Sequence, residues 1–378
     1  MFESFYSNRK CAICDNNENI NLLRQEFAYI EGVSFLKGYN VVSCKKCGFI
    51  YASNIPEQEE FDNYYINSNK YEHEIEQPDI ITGKYNHIIS EIERLISDKN
   101  KNIVDIGCAR SEVLRELKRI GYNNLTGIDP SVKNIEYLNS KGINGIHGTI
   151  NNIKIKDKYD VVLFLAVLEH INEINNTMNI LKELTNDDGM LVISVPDISS
   201  PASNELPYQE FSREHINYFT EVSLSNLLLK YGFKKILIKK YNGEIIGYFK
   251  KNNINDDKLQ NDNIGKESII KYIDKSKEYE NTIYTIIKRY SDIPIIIWGL
   301  GTFTQRFLVK NLLNNIVAIV DSNTQYKGKK YKDIDIILPN EVIEYNEPII
   351  LALSNRYINA VKKTIEELNL SNEIILIQ

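Results

Sequence analysis

Four of the five cysteines in this 378-residue chain form two pairs, Cys11-Ala12-Ile13-Cys14 and Cys44-Lys45-Lys46-Cys47, with 29 residues between them. Each C-x-x-C sets two thiolates on one turn, and two such turns close a tetrahedral Zn2+ site. Four thiolates fill the coordination shell and leave no position for water, so the expected zinc is structural. Disulfides suit an oxidising compartment, but the segment Met1 to Tyr6 lacks a basic stretch followed by an apolar core. A redox C-x-x-C needs a helix start in a thioredoxin-like βαβ setting, and neither pair has one.

A second chemical group is Glu214-His215, in the segment Phe211-Ser212-Arg213-Glu214-His215-Ile216-Asn217-Tyr218-Phe219. An imidazole titrates near ~6.5 and suits a general base at neutral pH, with Glu214 or another acid orienting the ring. The competing role is structural, a hydrogen-bond network that holds the loop. For His215 the two roles stand level; for Glu214 the structural one leads. His170 is read as opening a helix. A third group is the pair of strand ends Asp105-Ile106-Gly107 and Gly127-Ile128-Asp129. Gly107 lets the backbone turn sharply toward a ligand, and Asp129 is placed to accept from two ribose hydroxyls. A dinucleotide G-x-G-x-x-G is not met, because Cys108, Ala109, Arg110 and Ser111 follow Gly107. Taken singly, each acid is better explained as a strand-end cap or a surface charge.

The elements that must carry these residues alternate. Apolar spacing predicts a helix over 81–97, a strand at 102–107, a helix over 111–120, a strand at 124–129, a helix over 133–140, and strands at 159–165 and 190–195. Such alternation means an open, mainly parallel sheet covered on both faces, with ligands beyond the carboxyl ends of the strands. Glu214-His215 then falls in a long loop over that edge. Phe27 to Ile30 and Tyr39 to Val42 are candidate short strands between the cysteine pairs. Phe61, Tyr64, Tyr65 and Tyr71 either line a pocket or pack the first module onto the second. Beyond a polar stretch at 251–263, a long amphipathic helix leads into Ile295 to Gly301, Val317 to Asp321, Ile349 to Leu353 and Glu373 to Ile377, a second and smaller α/β unit. Its Gly299-Leu300-Gly301 turn and Asp321 imitate a dinucleotide site, but Thr304 stands where the third glycine belongs, which favours a substrate-holding or structural lobe.

Val104-Asp105-Ile106-Gly107-Cys108, Gly127-Ile128-Asp129, Tyr159-Asp160-Val161-Val162, Leu168-Glu169-His170-Ile171 and the turn Asp187-Asp188-Gly189 follow one another as do the motifs of class I S-adenosylmethionine-dependent methyltransferases, which residues 81–250 resemble. The resemblance implies a Rossmann-like methyltransferase core in which Asp105 and Gly107 sit by the methionine part of S-adenosylmethionine. It implies that Asp129 binds the ribose and that Ala166 lies near the sulfonium. Ala109 and Ser111 replace glycines common in that family. The order of zinc knuckles, cofactor core, long helix and second α/β unit resembles the nucleotide-sugar C-methyltransferases. That likeness implies a zinc-ribbon-like module with its aromatic connector at 1–75, a methyltransferase domain at 76–252 and a substrate-holding α/β domain at 264–378. It further implies a nucleotide-activated ketosugar as substrate, His215 as general base beside Glu214, and a substrate-binding tyrosine at Tyr64 or Tyr65. Ser212 replaces that family's tyrosine in the Tyr-x-Glu-His motif, which leaves O- or N-methylation of another small molecule open, and a nonenzymatic carbohydrate-assembly role with it.

The net charge of −6 and the lack of any apolar run near the ~20 residues that cross a bilayer argue against nucleic-acid and membrane partners. The expected setting is cytoplasmic, with a small-molecule substrate.

Overall fold

The computed structural model describes residues 9–67, 83–153, 157–201, 206–252, 258–311 and 313–377. Tyr71, Ile81 and most of the polar stretch after Asn252 lie outside them. In chain order come β1 (Asn19–Glu26), β2 (Gly38–Cys44), β3 (Ile50–Ser53) and α1 (Gln58–Asn67). Then follow α2 (Gly83–Leu95), β4 (Ile103–Ile106), α3 (Glu112–Arg119), β5 (Leu125–Asp129), α4 (Val132–Ser140), β6 (Asn144–His147) and β7 (Tyr159–Leu165). Next are α5 (Ile174–Leu184), β8 (Thr185–Pro196), β9 (Asn217–Tyr218), α6 (Glu221–Lys230), β10 (Phe233–Tyr241) and β11 (Glu244–Lys251). The last part holds α7 (Asn263–Ile287), β12 (Ile295–Trp298), α8 (Thr302–Val309), β13 (Ile316–Val320), β14 (Lys330–Tyr331), β15 (Ile334–Ile337), β16 (Ile349–Leu351), α9 (Asn355–Glu367) and β17 (Ile374–Leu376).

These strands form three sheets. The central one has seven strands in the order β10-β11-β8-β7-β4-β5-β6, with β4 to β8 parallel and β11 antiparallel to β8. Its inner strands read as continuous apolar runs because both faces are covered: every residue of β4 and β5 is buried. The chain leaves β4 for β5 and β6 on one side and returns as β7 on the other. A crevice therefore opens beyond the ends of β4 and β7, where ligands of such sheets bind. The β10–β11 hairpin carries the turn Asn242-Gly243, both with positive φ; no strand is expected there from the sequence. A second sheet, β14-β15-β13-β12-β16-β17, repeats the same reversal between β12 and β16.

The third sheet is antiparallel, β1-β2-β3-β9. Phe27 to Ile30, a candidate strand by its apolar run, is instead the buried connection after β1: Phe27, Ala28 and Ile30 pack inward while the backbone of Ala28 bonds Gln305 of α8. The fourth strand, β9, comes from the loop after β8 and pairs Ile50 with Tyr218 and Tyr51 with Asn217. Two polar side chains weld this junction. Arg9 donates to the carbonyls of Ala52, Ile216 and Asn172 and to Asn217 Oδ1. Buried Asn217 donates to the carbonyls of Leu168 and Ile171. The six-stranded sheet docks on the same module. Arg306 of α8 donates to Gln25 Oε1 and Glu280 Oε1 and lies over the Tyr208 ring. Among the described residues no helix is long and apolar enough to cross a membrane.

Asn217→Ala removes its bonds to the Leu168 and Ile171 carbonyls, leaving them the longer bonds from Ile171 N and Arg9, and removes one acceptor of Arg9. At ~0.5–1.5 kcal/mol per neutral hydrogen bond and more for the one to Arg9, we expect a loss of about 2–4 kcal/mol in urea denaturation followed by circular dichroism.

Candidate active site

The turn after β4 is held by backbone bonds: Gly107 N and Cys108 N both donate to Ile128 O, at 2.8 and 3.0 Å. Gly107 has φ +70°, and a Cβ there would meet Val167 Cγ2 at 2.6 Å. Ala109 (φ +46°) and Ser111 (φ +36°) keep the left-handed backbone that glycine takes freely. Each has a compensating bond. Ala109 N donates to Asp129 Oδ2 at 2.7 Å. Ser111 Oγ accepts from Leu114 N, capping α3, and donates to Asp105 Oδ2 at 2.6 Å. Asp129 Oδ1 also accepts from Ser131 N and Asn134 Nδ2. Three of its roughly four acceptor positions are thus used within the chain, leaving room for one ligand hydroxyl where the sequence suggested two. Asp105 is buried, and that desolvation pushes its carboxyl up to about 7; the Ser111 bond opposes the shift and the charge of Asp129 adds to it. Ala166, with φ +54°, directly follows β7 and donates its N–H to Ser194 O. The turn spacing, the small side chains and the spare position on Asp129 fit a nucleoside cofactor such as S-adenosylmethionine.

The β3–β9 pairing carries Glu214 and His215 to the tyrosines of α1. Tyr64 Oη donates to Glu214 Oε1 at 2.8 Å. The Tyr65 ring stands edge-on to His170 at 5.7 Å, and His170 edge-on to His215 at 5.0 Å. Burial and the neighbouring Glu214 carboxylate keep the Tyr64 hydroxyl protonated at all ordinary pH. His215 N donates to Ser212 Oγ at 3.1 Å, so the serine closes the tight turn that presents the pair. All four predicted residues are brought together. His170, expected to open a helix, instead ends a short 3-10 turn (Leu168–His170), and its Nδ1 lies 2.9 Å from Glu214 O. It is the member that the sequence reading missed, although the Leu168-Glu169-His170-Ile171 motif was in view. Glu169 is 2% exposed, and burial pushes its carboxyl above the usual range.

Beside Tyr64 opens a cavity of about 550 Å³, lined by Tyr29, Phe35, Glu60, Asn63, Tyr64 and Gln325. Its walls come from the first module, from α1 and from the turn after β13. Buried Arg213 lies against the Phe27 ring and donates to Ala28 O. In the six-stranded sheet, Leu300 N donates to Asp321 Oδ2 at 2.8 Å, the same arrangement as Ala109 and Asp129.

The four paired cysteines converge with all sulfurs within 4.8 Å of one another; Cys11 and Cys47 are 3.4 Å apart and Cys14 and Cys44 3.5 Å. Four sulfurs each ~2.3 Å from one tetrahedral ion would be ~3.8 Å apart, so the set fits a structural Zn2+. Asn16 Nδ2 donates toward Cys44 Sγ.

Residues 80–238 match the family described as methyltransferase domain, and residues 291–376 one described as C2185-like, N-terminal. Among curated proteins, the ubiquinone biosynthesis O-methyltransferase of Rickettsia akari is 31% identical over 136 residues, which is 34% of this chain and 49% of that protein. The mitochondrial protein of the same name from Dictyostelium discoideum is 24% identical over 127 residues, 29% of this chain and 40% of its own. The chain spans about half the length, or less, of these relatives. Among solved structures, the 1,6-didemethyltoxoflavin-N1-methyltransferase of Burkholderia thailandensis aligns over 60% of this chain and 100% of its own, at 13% identity and TM-score 0.43. Residues 80–238 therefore belong to the S-adenosylmethionine-dependent methyltransferases and have their fold.

Two outcomes follow for the turn after β4. A carboxyl whose folded pKa is about 7 against 3.8 unfolded binds a proton more tightly when folded, so it stabilises below pH ~4 and that contribution fades as pH rises through 7. Asp105→Asn should flatten this decline in melting temperature between pH 4 and 8, in cofactor-free protein. Ala109→Gly relieves a left-handed alanine and should stabilise by about 1 kcal/mol. Ser111→Gly also loses the bond to Asp105 and should destabilise in the same denaturation experiment.

Proposed function

We propose that the chain transfers a methyl group from S-adenosylmethionine to a small molecule held in the cavity beside Tyr64, and that this acceptor is a nucleotide-activated ketosugar. The observation that carries the reading is the joining of Tyr64, Glu214, His170 and His215 at the cofactor edge of a methyltransferase sheet, with a cavity beside Tyr64 walled by the first and last parts of the chain. In this reading the zinc module, the methyltransferase domain and the α/β domain divide at 1–75, 76–252 and 264–378.

Bound S-adenosylmethionine supplies an electrophilic methyl on a sulfonium. Asp129 accepts a ribose hydroxyl at its remaining position. Asp105 and Gly107 border the methionine portion, and Ala166 leaves room at the sulfonium. Cys11, Cys14, Cys44 and Cys47 hold Zn2+, which keeps the module rigid and so keeps β9 in register. His215 takes the proton from the carbon beside the acceptor's ketone, and the resulting enolate attacks in line. Tyr64 fixes Glu214, whose carbonyl fixes His170 against His215. Holding carbon and methyl at ~3–3.5 Å supplies much of the rate.

A second reading has its own support. The curated relatives are named O-methyltransferases, and His215 would equally take a proton from a hydroxyl.

Calorimetric titration with S-adenosylhomocysteine tests the cofactor site. We expect micromolar binding, about −8 kcal/mol, weakened at least tenfold in Asp129→Ala; no binding by folded protein would sink the enzyme reading. Incubating a ketosugar nucleotide with the protein in deuterated water separates the two chemistries. Deuterium entering the α-carbon, and lost in His215→Ala, is expected for the enolate route; its absence leaves the oxygen route.

A further inference from the structure

Glu169, His170 and His215 offer one carboxylate oxygen and two ring nitrogens that all lie within 4.8 Å of one another. Glu169 is 2% exposed, and its Oε2 has no hydrogen-bond partner among the described residues. His170 Nδ1 lies 2.9 Å from the carbonyl of Glu214. A carbonyl only accepts, so Nδ1 carries the proton, and in that tautomer Nε2 is the nitrogen with the lone pair. That lone pair faces Glu169 Oε1 at 3.9 Å, too far for a hydrogen bond. Two lone-pair atoms facing one another without a hydrogen between them lack a positive centre. A backbone carbonyl on the far nitrogen is also the usual partner of a metal-ligating histidine, because it fixes tautomer and ring orientation.

We propose that Glu169, His170 and His215 together hold a divalent first-row cation that binds an oxygen of the acceptor. Two histidines and one carboxylate suit zinc, cobalt, iron or manganese, and three protein ligands leave positions open for a substrate oxygen. Ligand atoms each ~2.1 Å from one tetrahedral ion lie ~3.4 Å apart, so the 3.9 Å between His170 Nε2 and Glu169 Oε1 closes on an ion by contracting about half an ångström. The four-cysteine cluster is a separate site of different donor chemistry. The inference deepens the oxygen-methylation reading above and rests on the acceptor being methylated at this place. It gives the lone pair of His215 to an ion rather than to a proton. A hydroxyl bound to such an ion loses its proton to solvent more readily. Its oxygen then forms the new bond to the methyl carbon as the methyl–sulfur bond breaks, with that electron pair going to sulfur.

The experiment is a Co2+ titration of the full chain carrying one zinc per molecule on its cysteines. We expect one further equivalent, with visible d–d bands but no near-ultraviolet thiolate-to-cobalt band. Glu169→Gln, which is nearly isosteric, and His215→Ala, at a half-buried loop position, should each weaken it by more than the ~10–100-fold typical of losing an outer-shell partner. Cysteine-bound zinc and circular dichroism should not change. The proposal is overturned if no further equivalent binds, if binding survives both substitutions, or if cobalt appears only with the thiolate band. S-adenosylhomocysteine binding measured on the same samples judges the methyl-transfer reading separately. Cobalt bound without cofactor binding would remove that reading and leave the ion site; cofactor bound without cobalt would do the reverse.

Discussion

The pairing of β3 with β9 is the constraint on which the candidate site depends. It is only two residues long, yet it ties the cysteine-bearing module to the loop that leaves β8. A pairing so short has little strength of its own. It is held by Arg9 and Asn217, whose donors reach carbonyls on both sides of the junction and on the turn after β7. The backbone of Ile216 adds bonds to Ala52 and to Glu169. Glu214, His215, His170 and the tyrosines of α1 are therefore placed by one network of buried polar groups. A loop of this length would not otherwise hold these side chains in one geometry.

The turn after β4 shows a trade between strain and hydrogen bonding. Alanine and serine sit in left-handed backbone where glycine would cost nothing. The strain is offset by Asp129, which accepts from Ala109 N, and by Ser111, which caps α3 and bonds Asp105. The price is specificity of use: Asp129 spends three acceptor positions on the chain itself, and Asp105 is buried enough that its charge is disfavoured near neutral pH. The turn after β12 repeats the plan, with Asp321 accepting from Leu300 N. Two sheets in one chain thus end their first strand in the same way. The second contributes Gln325 to the cavity from the next loop along.

The first module also mediates between the other two parts. One edge of its sheet receives β9, while β1 and the connection after it receive α8 through Arg306 and Gln305. Arg306 joins Gln25 of the module, Glu280 of α7 and the ring of Tyr208 at the start of the site loop. A module drawn together by four converging cysteines suits that position, because motion in it would move the walls of the cavity.

Much of this was readable in the sequence. The two C-x-x-C pairs, the strands ending at Asp105–Gly107 and Asp129, the long helix and the second α/β unit all announce themselves through spacing and period, which are local properties of the chain. The residues of the site, Tyr64, Tyr65, Glu214 and His215, were likewise marked by type. Tertiary structure alone decided what those residues meet. Phe27 to Ile30 has the apolar run of a strand but packs as a buried connection, since α8 takes the backbone partner that a strand would have used. β9 is too short to carry a period. His170 meets the carbonyl of Glu214, 44 residues on, only in the folded chain. The orphaned oxygen of Glu169 is invisible until burial removes the water that would have satisfied it. Sequence by itself determined which elements form and which side chains carry chemistry, because helix and strand periods and residue types are written locally. Which of those side chains share a site was decided only by long-range pairing, because burial and hydrogen-bond partners are properties of the packed molecule.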